Sequence, residues 1–127
     1  MLNIGTIVMG AADVRRAADF WCRALDYVPR GGVVEDAWTM LVPANGSGAG
    51  LALGFSETPA QEHPRVHLDL YADDAAEQAA EVRRLVALGA ERVDWDRYPD
   101  DPDFVVLADT EGNRFCVIDV SHTPPPS

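Results

Sequence analysis

Two periodicities divide this chain. In some stretches apolar residues alternate with polar ones, as on a half-buried strand; in others they recur every three or four residues, as on one face of a helix. Residues 3–9 are apolar and β-branched at Ile4, Ile7 and Val8, which predicts a strand. Gly10 to Asp13 supplies a turn and an N-cap, since the Asp13 carboxylate can accept from free helical amides. From Val14 to about Asp26 the residues Val14, Ala17, Ala18, Trp21 and Leu25 fall on one helical face, while Arg15, Arg16, Asp19 and Arg23 take the other. Trp21 sits mid-stripe and is expected in the core.

The run from Pro29 to Gly32 breaks the helix and leads into short strands, one of them at 37–42. Residues 45–50 form a glycine-rich hairpin loop, and a strand returns at 51–55 with Ala52 and Gly54 on one face. Residues 56–64 are a polar connector. The next strand, 65–71, sends Val66, Leu68 and Leu70 one way and His67, Asp69 and Tyr71 the other. Asp74 and Glu77 have the spacing of a capping box at the start of a helix. Ala75, Ala79, Val82 and Val86, flanked by Leu85, give that helix an apolar stripe, with Gly89 as its C-terminal cap. Strands follow at 91–95, 104–108 and 114–120, separated by an acidic loop at 97–103 and a turn at 109–113. Residues 121–127 are a proline-rich tail expected to fray.

The element order is therefore strand, helix, three strands, stated twice. Thr6 lies seven residues before the cap Asp13, and His67 seven before the cap Asp74. Gly50 precedes Gly54 by four residues, as Gly112 precedes Cys116. A βαβββ unit of this size cannot cover its own apolar face, so the two are expected to pack as a pseudo-symmetric pair. The fold class read from this is α+β, with helices outside a cup-shaped mixed sheet. The domain boundaries are a single domain over 1–120, with modules at about 3–56 and 65–120.

Composition narrows the partners. The 127 residues suit one domain, and at 47% hydrophobic the chain has material for a core. A net charge of −11, with every basic residue an arginine, argues against nucleic acid or an anionic membrane. Cys22 and Cys116 show no disulfide-framework spacing, no apolar run reaches membrane-spanning length, and the first residues open straight into a strand. A cytoplasmic protein is expected.

Three segments carry a resemblance: Ala18-Asp19-Phe20-Trp21 ahead of the helix end, Val66-His67-Leu68-Asp69-Leu70, and the run from Ala108 through Gly112-Asn113-Arg114-Phe115-Cys116 to Val117. With the repeat, they make the chain resemble the glyoxalase-like domains of the vicinal oxygen chelate superfamily over residues 3–120. The resemblance implies that metal-dependent members place ligands at the positions of Thr6, Gly54, His67 and Cys116. Only His67 is a usual ligand there. Thr6 is a neutral hydroxyl, Gly54 has no side chain, and Cys116 stands where the family's enzymes carry a carboxylate. A Lewis-acid cation needs about three protein ligands and an open position. No metal cofactor is therefore expected, and His67 and Cys116 are the residues that would hold one.

What the resemblance leaves is a cup able to receive a planar or hydrophobic small molecule, as the bleomycin-resistance-type members do. Strand parity puts Thr6, Val8, Ala52, Gly54, His67, Asp69, Cys116 and Ile118 on its lining, with room left by Ala52 and Gly54. Trp38, Met40, Trp95, Tyr98 and Phe104 are candidate walls and rim. His67 and Asp69 share a face and have two readings: base and orienting group, or a structural carboxylate beside a histidine left from a metal-binding ancestor. His63 and His122 receive no role. The main expectation is a metal-independent binding or sequestering protein. The alternative is a metal-dependent lyase, isomerase or dioxygenase, and a third possibility is an empty cup acting through dimerisation. The resemblance also implies a homodimer.

Overall fold

The computed structural model describes residues 1–123, so most of the expected tail lies outside the described residues. The chain divides into two compact units, Met1–Pro59 and Ala60 onward. The first contains β1 (Thr6–Ala11), α1 (Val14–Leu25), β2 (Tyr27–Pro29), β3 (Trp38–Pro43) and β4 (Gly50–Phe55). The second contains β5 (Leu68–Ala72), α2 (Ala75–Leu88), β6 (Glu91–Arg92), β7 (Phe104–Ala108) and β8 (Arg114–Asp119).

Each unit makes one four-stranded mixed sheet, ordered β1-β4-β3-β2 in the first and β5-β8-β7-β6 in the second. The first strand of each unit runs parallel to the last, and the remaining pairs are antiparallel. The repeated βαβββ order and the α+β class are therefore observed. The register corrects one detail of the repeat. Cys116 pairs with Asp69, while Val8, the residue at the corresponding place in β1, pairs with Ala52 rather than Gly54. The glycine spacing in the sequence misaligns the two last strands, because both strands have the same parity at alternate residues.

Local chemistry sets both helices. The Asp13 carboxylate accepts from the Arg16 N–H at 3.1 Å, and Val14, Ala17, Ala18, Phe20, Trp21 and Ala24 are buried behind it. Trp21 meets Phe20 edge-on, with centroids 5.0 Å apart, so it is a core residue as expected. The helix stops at Asp26, which takes a left-handed φ of 55° while its N–H donates to the Cys22 carbonyl. In α2 the Asp74 carboxylate accepts from the Glu77 N–H at 2.8 Å, and Gly89 closes the helix with φ 123°.

The apolar stripe of α2 differs from the expected one. Val82 and Leu85 are buried, but Ala75, Ala79 and Val86 are exposed. Gln78 sits on the inward side instead, and its Nε2 donates to the Asp103 carbonyl at 3.0 Å and the Val117 carbonyl at 2.9 Å. Alanines bury too little area to orient a helix against two such bonds. The strand expected at 91–95 stops at Arg92. Beyond it the Tyr98 hydroxyl, and no strand neighbour, accepts the Val106 N–H at 2.7 Å. The strand expected from Arg65 begins at Leu68, which leaves His67 immediately ahead of it.

Candidate functional site

Strand parity places Asp69 on β5 and Arg114, Cys116 and Ile118 on β8 on one face of the second sheet. The opposite face is the core side, where Leu107, Phe115 and Val117 are buried. His67 Nε2 lies 2.9 Å from Asp69 Oδ1. The donor atoms of His67, Asp69 and Cys116 all fall within 4.8 Å of one another. Burial raises the Cys116 thiol from an ordinary value of 9.0 to about 11, helped by the Asp69 charge, by a hydrogen bond to Asp69 and by the more distant Asp103. At neutral pH this thiol keeps its proton and donates it to Asp69. The result is a chain of polar contacts from Cys116 through Asp69 to His67.

The other expected lining residues fall into separate groups. Tyr98 and Phe104 meet with ring centroids 5.3 Å apart. The Tyr98 oxygen is committed to Val106, and its own proton is left to donate. In the first unit Thr6 Oγ1 lies 3.7 Å from Met40 Sδ, a weak contact to sulfur. Ala52 is fully buried and lines nothing. A Cβ on Gly54 would stand 3.2 Å from the Trp38 ring. The absent side chain therefore seats Trp38 against β4 and leaves no vacant space there, a correction to the room expected at Ala52 and Gly54. Trp38 remains 45% exposed and Val8 57% exposed, so this face presents apolar surface.

Trp95 stands with a residue to which the sequence gave no role. Its ring centroid is 5.0 Å from that of His63, whose Nε2 lies 2.8 Å from Asp96 Oδ1. These side chains, with Glu62, Asp94 and Arg114, line a cavity of about 310 Å³. Arg114 was legible as a facemate of Cys116 two residues on. The place of His63 depends on the path of the connector, which no periodicity encodes.

A family model described as the glyoxalase-like domain matches residues 6–118. The chain belongs to the glyoxalase-like domain family. The fold is shared with solved structures across nearly the whole length. A glyoxalase/bleomycin resistance protein/dioxygenase family enzyme from Burkholderia phytofirmans aligns at TM-score 0.72 and 14% identity, covering 94% of this chain and 99% of its own. A lactoylglutathione lyase from Agrobacterium tumefaciens aligns at 0.61 and 22%, covering 94% of each chain. A mutant fosfomycin resistance protein from Listeria monocytogenes, solved with Mn(II), aligns at 0.67 and 13%, covering 93% of this chain and 92% of its own. No curated protein matches the sequence. The identities are low, and the structural likeness establishes the vicinal oxygen chelate fold.

The side chains of this glyoxalase-like domain can be tested against a divalent cation. With metal–ligand bonds of about 2.0–2.3 Å, tetrahedral donors stand roughly 3.3–3.8 Å apart. His67, Asp69 and Cys116 fit that spacing with small side-chain movements. One imidazole, one carboxylate and one sulfur suit a borderline-soft ion such as zinc better than Mn²⁺ or Mg²⁺. Asp69 completes a trio in which the sequence had singled out only His67 and Cys116 as metal donors. In the first unit the corresponding places hold Thr6, Val8 and Ala52; among these only the Thr6 hydroxyl has a donor atom.

Proposed function

We propose that this glyoxalase-like domain binds or sequesters a small, planar or hydrophobic organic molecule without needing a metal, in the manner of the bleomycin-resistance branch. One observation carries the reading: Val8 and Trp38 share one face of the first sheet and are both about half exposed, so that face offers apolar surface to a ligand. The aromatic pair Tyr98–Phe104 in the second unit supports the same class of ligand. The proposal includes a cytoplasmic homodimer, supported by β1 and β5, each of which is an end strand of its own sheet.

The second reading is a metal-dependent lyase, isomerase or dioxygenase. The approach of three unlike donors to within 4.8 Å of one another favours it. In that case His67, Asp69 and Cys116 would hold the ion, which would supply Lewis-acid polarisation of a bound oxygen. Elemental analysis of protein purified without metal-affinity steps separates the two, combined with a thermal-shift screen of planar organic molecules before and after chelation. The binding reading expects less than one ion per ten chains, as an order-of-magnitude ceiling, and a melting shift that survives chelator. A ligand at a hundred times its Kd adds about 2.7 kcal/mol. One zinc, iron, nickel or manganese per chain, with ligand binding lost on chelation, would give the second reading precedence.

A further inference from the structure

We infer that the cavity beside β8, walled by Trp95, takes a cationic organic ligand: an ammonium or similar cation carried on an aromatic body. This names a ligand class and rests on the reading that the chain binds a small molecule.

The argument starts from volume and shape. At about 310 Å³ the cavity is at the lower end of the range, roughly 300–1,000 Å³, that small-molecule sites occupy. Its apolar wall is the Trp95 indole, steadied by the His63 ring at 5.0 Å. Indole is the aromatic face that attracts a cation most strongly.

The charges around that wall set the sign. Two carboxylates, Glu62 and Asp94, line the cavity together with the Asp96–His63 pair and one guanidinium, Arg114. Asp96 is held below the ordinary carboxylate range, chiefly by its hydrogen bond with His63, so it stays ionised across the physiological range. The Glu62 and Asp94 carboxylates have no hydrogen bond or ion pair among the described residues. Their charge is therefore available to a ligand. Arg114 is partly occupied, since its Nη1 donates to the Gly112 carbonyl at 2.8 Å. With a chain charge of −11 behind them, these groups attract a cation and repel an anion of the same shape.

Three probes of similar size separate charge from shape: benzyltrimethylammonium, benzyl alcohol and phenylacetate. The readout on the full chain is the indole N–H resonance of Trp95, distinguished from those of Trp21 and Trp38 by its disappearance in Trp95→Phe. The cation is expected to move that resonance saturably, phenylacetate not at all, and benzyl alcohol at least tenfold more weakly, as an order of magnitude. Glu62→Gln and Asp94→Asn, both at exposed positions, should each weaken the cation about threefold. Arg114→Gln should strengthen it by a similar factor. Phenylacetate binding as well as the cation, no response to the two neutralising variants, or no movement of the Trp95 signal with any probe would each overturn the inference. The thermal-shift screen keeps the two proposals apart. A neutral or anionic ligand found there while Trp95 stays silent leaves the binding reading standing and removes this one.

Discussion

Burial and the Asp69 carboxylate together keep Cys116 in its thiol form well above neutrality, up to a pKa of about 11. Alkylating reagents attack the thiolate, so the native residue should react slowly where an unfolded one does not. At pH 8 the difference between 9.0 and about 11 corresponds to about 100-fold less thiolate. In a Cys22→Ser background, iodoacetamide labelling of native protein is expected to run about 100-fold behind labelling in urea. The gap should close as pH rises past 11. Equal rates at pH 8 would mean that Cys116 is neither buried nor coupled to Asp69. The sign for stability follows: a raised folded pKa contributes stability that is complete below the unfolded value near 9.0 and is lost as pH rises through about 11. The chemistry of this residue was only half legible in the sequence. Parity put Cys116 on the same face as His67 and Asp69, but the approach of their donor atoms depends on the β5–β8 register, which pairs Cys116 with Asp69.

At the scale of elements, α2 shows where pattern reading holds and where it gives way. Its ends were legible because caps are local: Asp74 and Gly89 stand where their chemistry requires. Its inward face was not, because three of the residues that compete for it, Ala75, Gln78 and Ala79, are alanine or glutamine, and propensity does not distinguish them. The two polar bonds of Gln78 decide the rotation. Gln78→Ala is therefore expected to cost about 1–3 kcal/mol, since two carbonyls lose a donor. Ala79→Ser, on the exposed side, should stay within about 0.5 kcal/mol. Urea midpoints measure both; the opposite order would restore the stripe predicted from the sequence. The same contrast accounts for β6. Alternation continues through Trp95, yet pairing ends at Arg92, because a tyrosine from the following loop takes the next N–H of β7.

At the scale of the whole molecule, the repeat was legible because it was stated twice, and each copy keeps the same strand order and the same parallel closing pair. The exposed apolar side chains Val8 and Phe55 in the first unit and Tyr71 in the second belong to strands at or next to one end of their own sheets. Exposed strands of this kind favour self-association. Sedimentation equilibrium at micromolar concentration is expected to return twice the mass of the chain. A single-chain mass throughout would remove the dimer from the proposal.

The Tyr98 hydroxyl has a further bearing on how this molecule avoids unwanted company. By occupying the Val106 amide beyond the point where β6 ends, it leaves a stray extended peptide one fewer donor to anneal to along the flank of β7. A phenol on a proline-containing acidic loop thus leaves that flank of β7 less able to pair with another strand.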